Sequence, residues 1–166
     1  FFTDFYSQNS TYIGNVAKKQ AGALQLSSGN LVSIFNSKYV NNTAQLSVGA
    51  IHLLEVNFMH ISFSTFRRNS GKNRGGSLLL KVKTLIMTDV HLIKNQAKEG
   101  GSIFLLNAED VNFRACYFVN NIADSSGLVG GGAIKLQNVA SATISECVFF
   151  DNSATGSSGG AILLSD

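Results

Sequence analysis

The chain has 166 residues, 45% of them hydrophobic, with 16 glycines, no proline and a formal net charge of +3. That apolar share supplies a core for a length that ordinarily makes one domain, and no run long and apolar enough to span a bilayer is present. Nothing resembles a signal peptide, and two cysteines do not decide a redox compartment.

Residues 1–21 hold an incomplete unit, in which Phe5 and Tyr12 are followed by Asn15 and Ala17 without a glycine-led segment before them. Further units begin near residues 22, 49, 76, 101 and 132, and a truncated one occupies 160–166. Each opens on glycine and an apolar segment: Gly22-Ala23-Leu24, Gly49-Ala50-Ile51, Gly76-Ser77-Leu78, Gly101-Ser102-Ile103, Gly132-Ala133-Ile134 and Gly160-Ala161-Ile162. The intervals of 27, 27, 25, 31 and 28 residues between these glycines indicate stacked repeats rather than one globular core. A second anchor runs in phase, an aromatic or leucine followed three residues later by asparagine: Tyr12/Asn15, Tyr39/Asn42, Phe66/Asn69, Leu92/Asn95, Phe118/Asn121 and Phe149/Asn152. Between the anchors lie Val32/Ile34, Met59/Ile61, Leu85/Met87, Val111/Phe113 and Ala142/Ile144.

Each unit therefore carries three short period-2 segments with polar or glycine-bearing corners, and none carries an amphipathic helix. Three short strands per unit predict an all-β, single-stranded parallel β-helix of about six coils, 25–31 residues each. Each strand pairs with its counterpart one coil on, about 4.8 Å away. Leu24, Ile51, Leu78, Ile103, Ile134 and Ile162 then form one inward ladder, and the residues led by Tyr12 another. Asparagine tolerates left-handed backbone, and its amide both donates and accepts. Asn15, Asn42, Asn69, Asn95, Asn121 and Asn152 are thus expected to form a structural corner ladder. The glycines match neither a dinucleotide fingerprint nor a P-loop. Because both ends cut through the pattern, flanking coils or a partner protein are expected to cover the terminal coils.

The interval from Asn121 to Asn152 is the longest because Asp124-Ser125-Ser126-Gly127-Leu128-Val129-Gly130 adds a loop, with a smaller bulge at Thr155-Gly156-Ser157-Ser158. Charge gathers on the same side of earlier coils: Lys18, Lys19, Arg67, Arg68, Lys72, Arg74, Lys94 and Lys98 are eight of the 13 basic residues. Stacking predicts that they share one edge, either an ordinary charged rim or a site for an acidic glycan or acidic protein. No module or aromatic platform for nucleic acid is identifiable.

Cys116 and Cys147 hold equivalent inward positions in successive coils, where Ser10, Ser37, Ser64 and Val90 stand earlier. They are stacked thiols or a disulfide. Asn9-Ser10-Thr11 and Asn41-Asn42-Thr43 match the N-glycosylation pattern, making Asn9 and Asn41 acceptors if the chain is secreted. Asp89, Glu109, Asp110, Asp124, Glu146 and Asp151 occupy different strand and corner positions rather than the close pairs that glycoside hydrolysis needs. His52, His60 and His91 have unlike offsets, make no metal triad and read as solvent-facing.

The Gly-Gly-Ala-Ile units at 131–134 and 159–162, with Phe118-x-x-Asn121 and Phe149-x-x-Asn152, resemble the paired motifs of chlamydial polymorphic outer-membrane-protein repeats. They are also similar to those of pectin-lyase-like right-handed β-helices in large surface proteins of bacteria and protists. The resemblance covers nearly the whole chain and is clearest over 101–166. It implies right-handed winding, which parallel crossovers also favour, and a fold shared by adhesins, structural proteins and carbohydrate-active enzymes. Lyases of this kind, as the resemblance implies, use clustered aspartates for calcium with an arginine or lysine base, and no such set stands out. The expected function is a non-catalytic structural or adhesive segment of a cell-surface or extracellular protein, with no catalytic, cofactor or metal residues. The alternatives are a polysaccharide-acting lyase or hydrolase, and a scaffold component of a large assembly.

Overall fold

The computed structural model describes residues 2–125 and 130–166. The chain winds into a right-handed parallel β-helix of about six turns, whose strands form one seven-stranded and two six-stranded sheets. In every sheet, each strand neighbours its counterparts in the preceding and following coils.

The long sheet is built from Phe2–Gln8, Leu24–Phe35, Ile51–Ser62, Leu78–Thr88, Ile103–Arg114, Ile134–Ser145 and Ile162–Ser165. Here the structure departs from the expectation of a corner between the first two period-2 segments. Leu24 to Leu26 and Val32 to Ile34 belong to one twelve-residue strand. A single left-handed residue bends it where a corner was predicted: Ser28, Glu55, Asn107 and Asn138 have φ of 58°, 58°, 54° and 53°. Hydrogen bonding resumes past such a bulge, so the strand bends without ending. The Leu78–Thr88 strand has eleven residues and lacks the bend residue, and the register shifts there against both neighbours.

The second sheet contains the three-residue strands Thr11–Ile13, Lys38–Val40, Thr65–Arg67, His91–Ile93, Tyr117–Val119 and Val148–Phe150, each presenting its middle residue inward. The third sheet begins just after the asparagines, in a stretch expected to be corner. Its strands are Val16–Ala17, Thr43–Ala44, Ser70–Gly71, Gln96–Ala97, Ile122–Asp124 and Ser153–Thr155. Small inward residues such as Ala44, Ala97 and Ala123, all nearly or fully buried, keep the wall at this sheet thin.

Like stacks on like through the core. Register pairs Leu24 with Ile51, Ile51 with Leu78, Leu78 with Ile103, Ile103 with Ile134 and Ile134 with Ile162. The rings of Tyr12 and Tyr39, Tyr39 and Phe66, and Phe118 and Phe149 lie nearly parallel, with centroids 4.5, 4.8 and 4.7 Å apart. Fully buried Leu92 interrupts the series. The glycine corners follow from close approach between coils: a Cβ on Gly132 would collide with the carbonyl oxygen of Gly160. The loop expected over 124–130 falls at 126–129 outside the described residues.

Candidate functional site

The corner between the second and third sheets is fixed by the asparagine column. Each side-chain amide donates to the Oδ1 of its counterpart one coil on: Asn15 to Asn42 at 2.8 Å, Asn42 to Asn69 at 3.1 Å, Asn69 to Asn95 at 3.3 Å, Asn95 to Asn121 at 3.0 Å and Asn121 to Asn152 at 3.0 Å. The same Oδ1 atoms accept the backbone N–H of the preceding asparagine, from Asn15 N–H on Asn42 at 3.1 Å to Asn121 N–H on Asn152 at 3.0 Å. From Asn42 onward, Nδ2 also reaches the carbonyl of the aromatic or leucine in the coil before. The left-handed backbone expected of these asparagines sits one residue earlier, at Gly14, Asn41, Arg68, Lys94, Asn120 and Asp151. The chain reverses before the ladder residue, leaving its amide aimed along the solenoid axis.

This ladder sets the positions of the basic residues, which separate into two columns instead of one edge. Arg67 ends a strand of the second sheet. Arg68 follows in the left-handed turn, and its N–H donates to Ile93 O at 3.0 Å, which brings it beside Lys94 in the next coil. Across the third sheet lies the other column, where Lys18, Lys72 and Lys98 each follow the inward Ala17, Gly71 or Ala97. Gln45, whose N–H donates to Ala17 O at 3.0 Å, interrupts this column between Lys18 and Lys72. Lys19 extends it, and all seven of these cations are exposed. Lys72 and Lys98 flank a shallow hollow of about 250 Å³ that also contains Asp124.

Arg74 does not belong with them. Its Nε lies 3.7 Å from Glu99 Oε1, and its guanidinium stacks 4.9 Å from the Phe104 ring centroid. Glu99 also takes a 2.8 Å contact from Lys135 Nζ, and the Lys135 side chain is 6% exposed. Neither Glu99 nor Lys135 stands out by charge pattern. The available signal was parity: the outward positions following the glycine corners read Gln25, His52, Leu79, Phe104, Lys135 and Leu163, too apolar for an open face. Corner loops cover the middle of this row, from His52 to Lys135, and Val48, Leu79 and Phe104 form a second buried cluster there.

His52 belongs to that covered row and is buried, contrary to the expectation of a solvent-facing imidazole. Its Nδ1 lies 3.0 Å from Gln20 Oε1, and burial lowers its pKa. His60 and His91 are exposed, the latter tilted against Tyr117 at 4.8 Å.

Cys116 and Cys147 are free thiols in successive coils, joined by a 3.4 Å contact from Cys116 N–H to Cys147 Sγ. Burial pushes the Cys116 thiol up to about 12. The thiols copy the serine arrangement, in which Ser37 N–H donates to Ser64 Oγ at 3.1 Å and the Ser64 hydroxyl donates to Ser62 O at 2.8 Å. Asn9 and Asn41 are both exposed on left-handed turns; Asn9 Oδ1 accepts from Asn36 at 2.8 Å.

Three of the candidate carboxylates have separate local partners. Asp124 pairs in register with Thr155, Asp151 accepts from Asn120, and Glu146 lies 3.5 Å from Arg114 Nε. Among the described residues no group of three His, Cys, Asp or Glu side chains is placed to hold a metal ion, and no helix is long and apolar enough to cross a membrane.

The last complete turn of this geometry also has a known counterpart. Residues 146–165 match the Chlamydia polymorphic membrane protein repeat. That repeat spans Cys147, the stacked Phe149, the terminal ladder asparagine Asn152, Ala154 and the Gly159-Gly160-Ala161-Ile162 corner. The strand topology, with this match in the last coil, gives a parallel β-solenoid. No curated protein and no solved structure matches the chain.

Proposed function

We propose that the chain is a structural or adhesive, non-catalytic segment of a cell-surface or extracellular protein, meeting an acidic glycan or acidic protein through its two basic columns. The observation that carries this reading is the repetition of exposed cations at fixed coil positions, with Arg68 beside Lys94 across one corner and Lys72 beside Lys98 across the other. Exposed charges are individually weak, but several convergent cations steer an acidic partner, and the attraction fades as salt screens it. Rigidity supports the same role. The asparagine ladder holds successive coils in constant relation, so the cations present a spacing that a repeating acidic chain can follow. The repeat match supports the surface location, since that repeat is named for a membrane protein of Chlamydia.

The test is retention on immobilised heparin at about 0.05 M and about 0.3 M salt, comparing the chain with a variant carrying Arg67→Ser, Arg68→Ser and Lys94→Ser. Binding at low salt that the triple variant loses while keeping its β-sheet circular dichroism supports the reading. Equal retention of both proteins rejects the Arg67, Arg68 and Lys94 column as the contact surface. Cleavage of an oligosaccharide by the purified chain, abolished by replacing one carboxylate, would establish the enzymatic alternative instead.

A further inference from the structure

Beneath the corner that leads into the long sheet, three charged groups and one ring form a partly buried cluster. Lys135 Nζ contacts Glu99 Oε2 at 2.8 Å, Arg74 Nε lies 3.7 Å from Glu99 Oε1, and both cations lie over the Phe104 ring, at 4.9 Å for Arg74 and 5.3 Å for Lys135. Lys135 is 5% exposed and Phe104 is fully buried. Over this cluster opens a hollow of about 550 Å³ whose lining includes Ser47, Asn73, Arg74, Leu79, Lys98 and Glu99.

The charges in this hollow do not balance. Glu99 is the carboxylate shared by Arg74 and Lys135, and Lys98 adds a third cation at the rim. Glu99 answers the buried Lys135 at 2.8 Å, so the excess positive charge falls to Arg74, whose side chain is 48% exposed, and to exposed Lys98, both at the rim where an anion has access. Donors are also left over. At 3.7 Å the Arg74–Glu99 contact exceeds hydrogen-bond distance, and Arg74 makes no side-chain hydrogen bond to another described residue. The volume falls within the range of about 300–1,000 Å³ typical of small-ligand sites.

We propose that this hollow is an oxyanion-binding site, taking one sulfate or carboxylate group between Arg74 and Lys98 with Lys135 as the charge behind Glu99. Arg74 supplies the planar donor fork that matches an oxyanion, Lys98 a point charge, and Ser47 a neutral hydroxyl. Glu99 orients the two cations and also opposes the ligand, which sets the affinity low and makes it adjustable by a single charge. The site shares Lys98 with the column across the third sheet and stands even if the Arg67, Arg68 and Lys94 column binds nothing.

The test is an amide NMR titration of the 166-residue chain with sodium sulfate, against sodium chloride at matched ionic strength, repeated with acetate and with a sulfated disaccharide. Saturable shifts confined to the amides around Asn73, Arg74, Glu99 and Gly100 are expected. Disaccharide binding tighter than sulfate assigns the anion to a saccharide group, whereas equal binding assigns it to a free ion. Lys98→Ser, at an exposed position, should weaken sulfate about threefold, and Glu99→Gln should tighten it by a similar factor by removing the opposing charge. The Arg67, Arg68 and Lys94 triple variant should bind sulfate as the unmodified chain does, which separates failure of this site from failure of that column. Non-saturable shifts, shifts spread equally over Lys18, Lys19, Arg67 and Arg68, or sulfate affinity unchanged by Lys98→Ser would overturn the proposal. Should Glu99→Gln fail to fold, the titration of the unmodified chain and of Lys98→Ser decides it.

Discussion

Asn95→Ala isolates what the asparagine ladder contributes. Asn95 is fully buried. Its Oδ1 accepts from Asn69 N–H at 3.0 Å and Asn69 Nδ2 at 3.3 Å, while its Nδ2 donates to Phe66 O at 3.0 Å, Asn121 Oδ1 at 3.0 Å and Ser102 Oγ at 3.3 Å. Removing the amide costs these groups unequally. Asn69 Nδ2 keeps Tyr39 O at 2.9 Å, and Asn121 Oδ1 keeps the Asn95 N–H at 3.0 Å. The Asn69 N–H loses its side-chain acceptor and is left buried. The orphaned Asn69 donor costs about 2 kcal/mol and the lost bond to the buried Ser102 hydroxyl about 1 kcal/mol net, while the groups that keep another partner add little, giving about 3 kcal/mol in all. In urea this lowers the unfolding midpoint by about 1.5 M at a slope near 2 kcal/mol per M. Asn15→Ala is the matched control: Asn15 is exposed, and Asn42 Oδ1 keeps the Asn15 N–H at 3.1 Å after the substitution. It should cost less than about 1 kcal/mol. Equal midpoints for the two variants would refute the claim that the ladder stabilises through buried-group satisfaction.

Four further outcomes follow from particular positions. Phe63 holds φ of 50° with its ring 58% exposed, in a column that elsewhere contains Asn9, Asn36 and Asp89; Phe63→Asn should raise stability by about 0.5–1 kcal/mol, and a lower urea midpoint would mean that its edge contact with Phe35 at 5.7 Å outweighs the backbone strain. Cys116→Ser should cost less than about 1 kcal/mol, because serine already serves this column at Ser37 and Ser64. Mass spectrometry should find Cys147 alkylated before Cys116, which is fully buried with its thiol pushed up to about 12, and the reverse order would contradict that environment. For His52, burial lowers the folded-state pKa from 6.5, so the folded state favours neutral imidazole. Its contribution is fully present above 6.5 and declines as pH falls through that value towards the lower folded pKa. His52→Leu should therefore flatten the acid side of the stability profile, and unchanged slopes in the two proteins would exclude the assignment.

The coil register was legible because two anchors repeat in phase. Stacking Ile103 on Ile134 and Phe118 on Phe149 requires only that equivalent positions meet one coil apart. The left-handed residues were harder to read, since glutamate, phenylalanine and arginine occupy positions that asparagine holds in other coils, as Glu55, Phe63 and Arg68 show. Once two neighbouring coils fix the backbone, propensity at one turn residue is overridden. For the same reason the bend within the long strand left no common residue type to find.

The candidate sites differ in legibility for a physical reason. The exposed cations could be found from composition and spacing, because a surface lysine needs no particular neighbour and its coil position follows from the register. The full cluster could not, because Arg74 and Glu99 are register partners in adjacent coils but Lys135 joins them from the strand after the longest interval. Parallel stacking matches like positions, whereas Lys135 and Glu99 occupy unlike ones, 36 residues apart. Their meeting depends on how far the corner loops fold over the outer face of the long sheet, and loop length varies from coil to coil. In a solenoid, stability is therefore written in what repeats, and specific recognition is to be sought where the repeat is broken: at the charged corner of Glu99, and where the Leu78–Thr88 strand drops its bend residue.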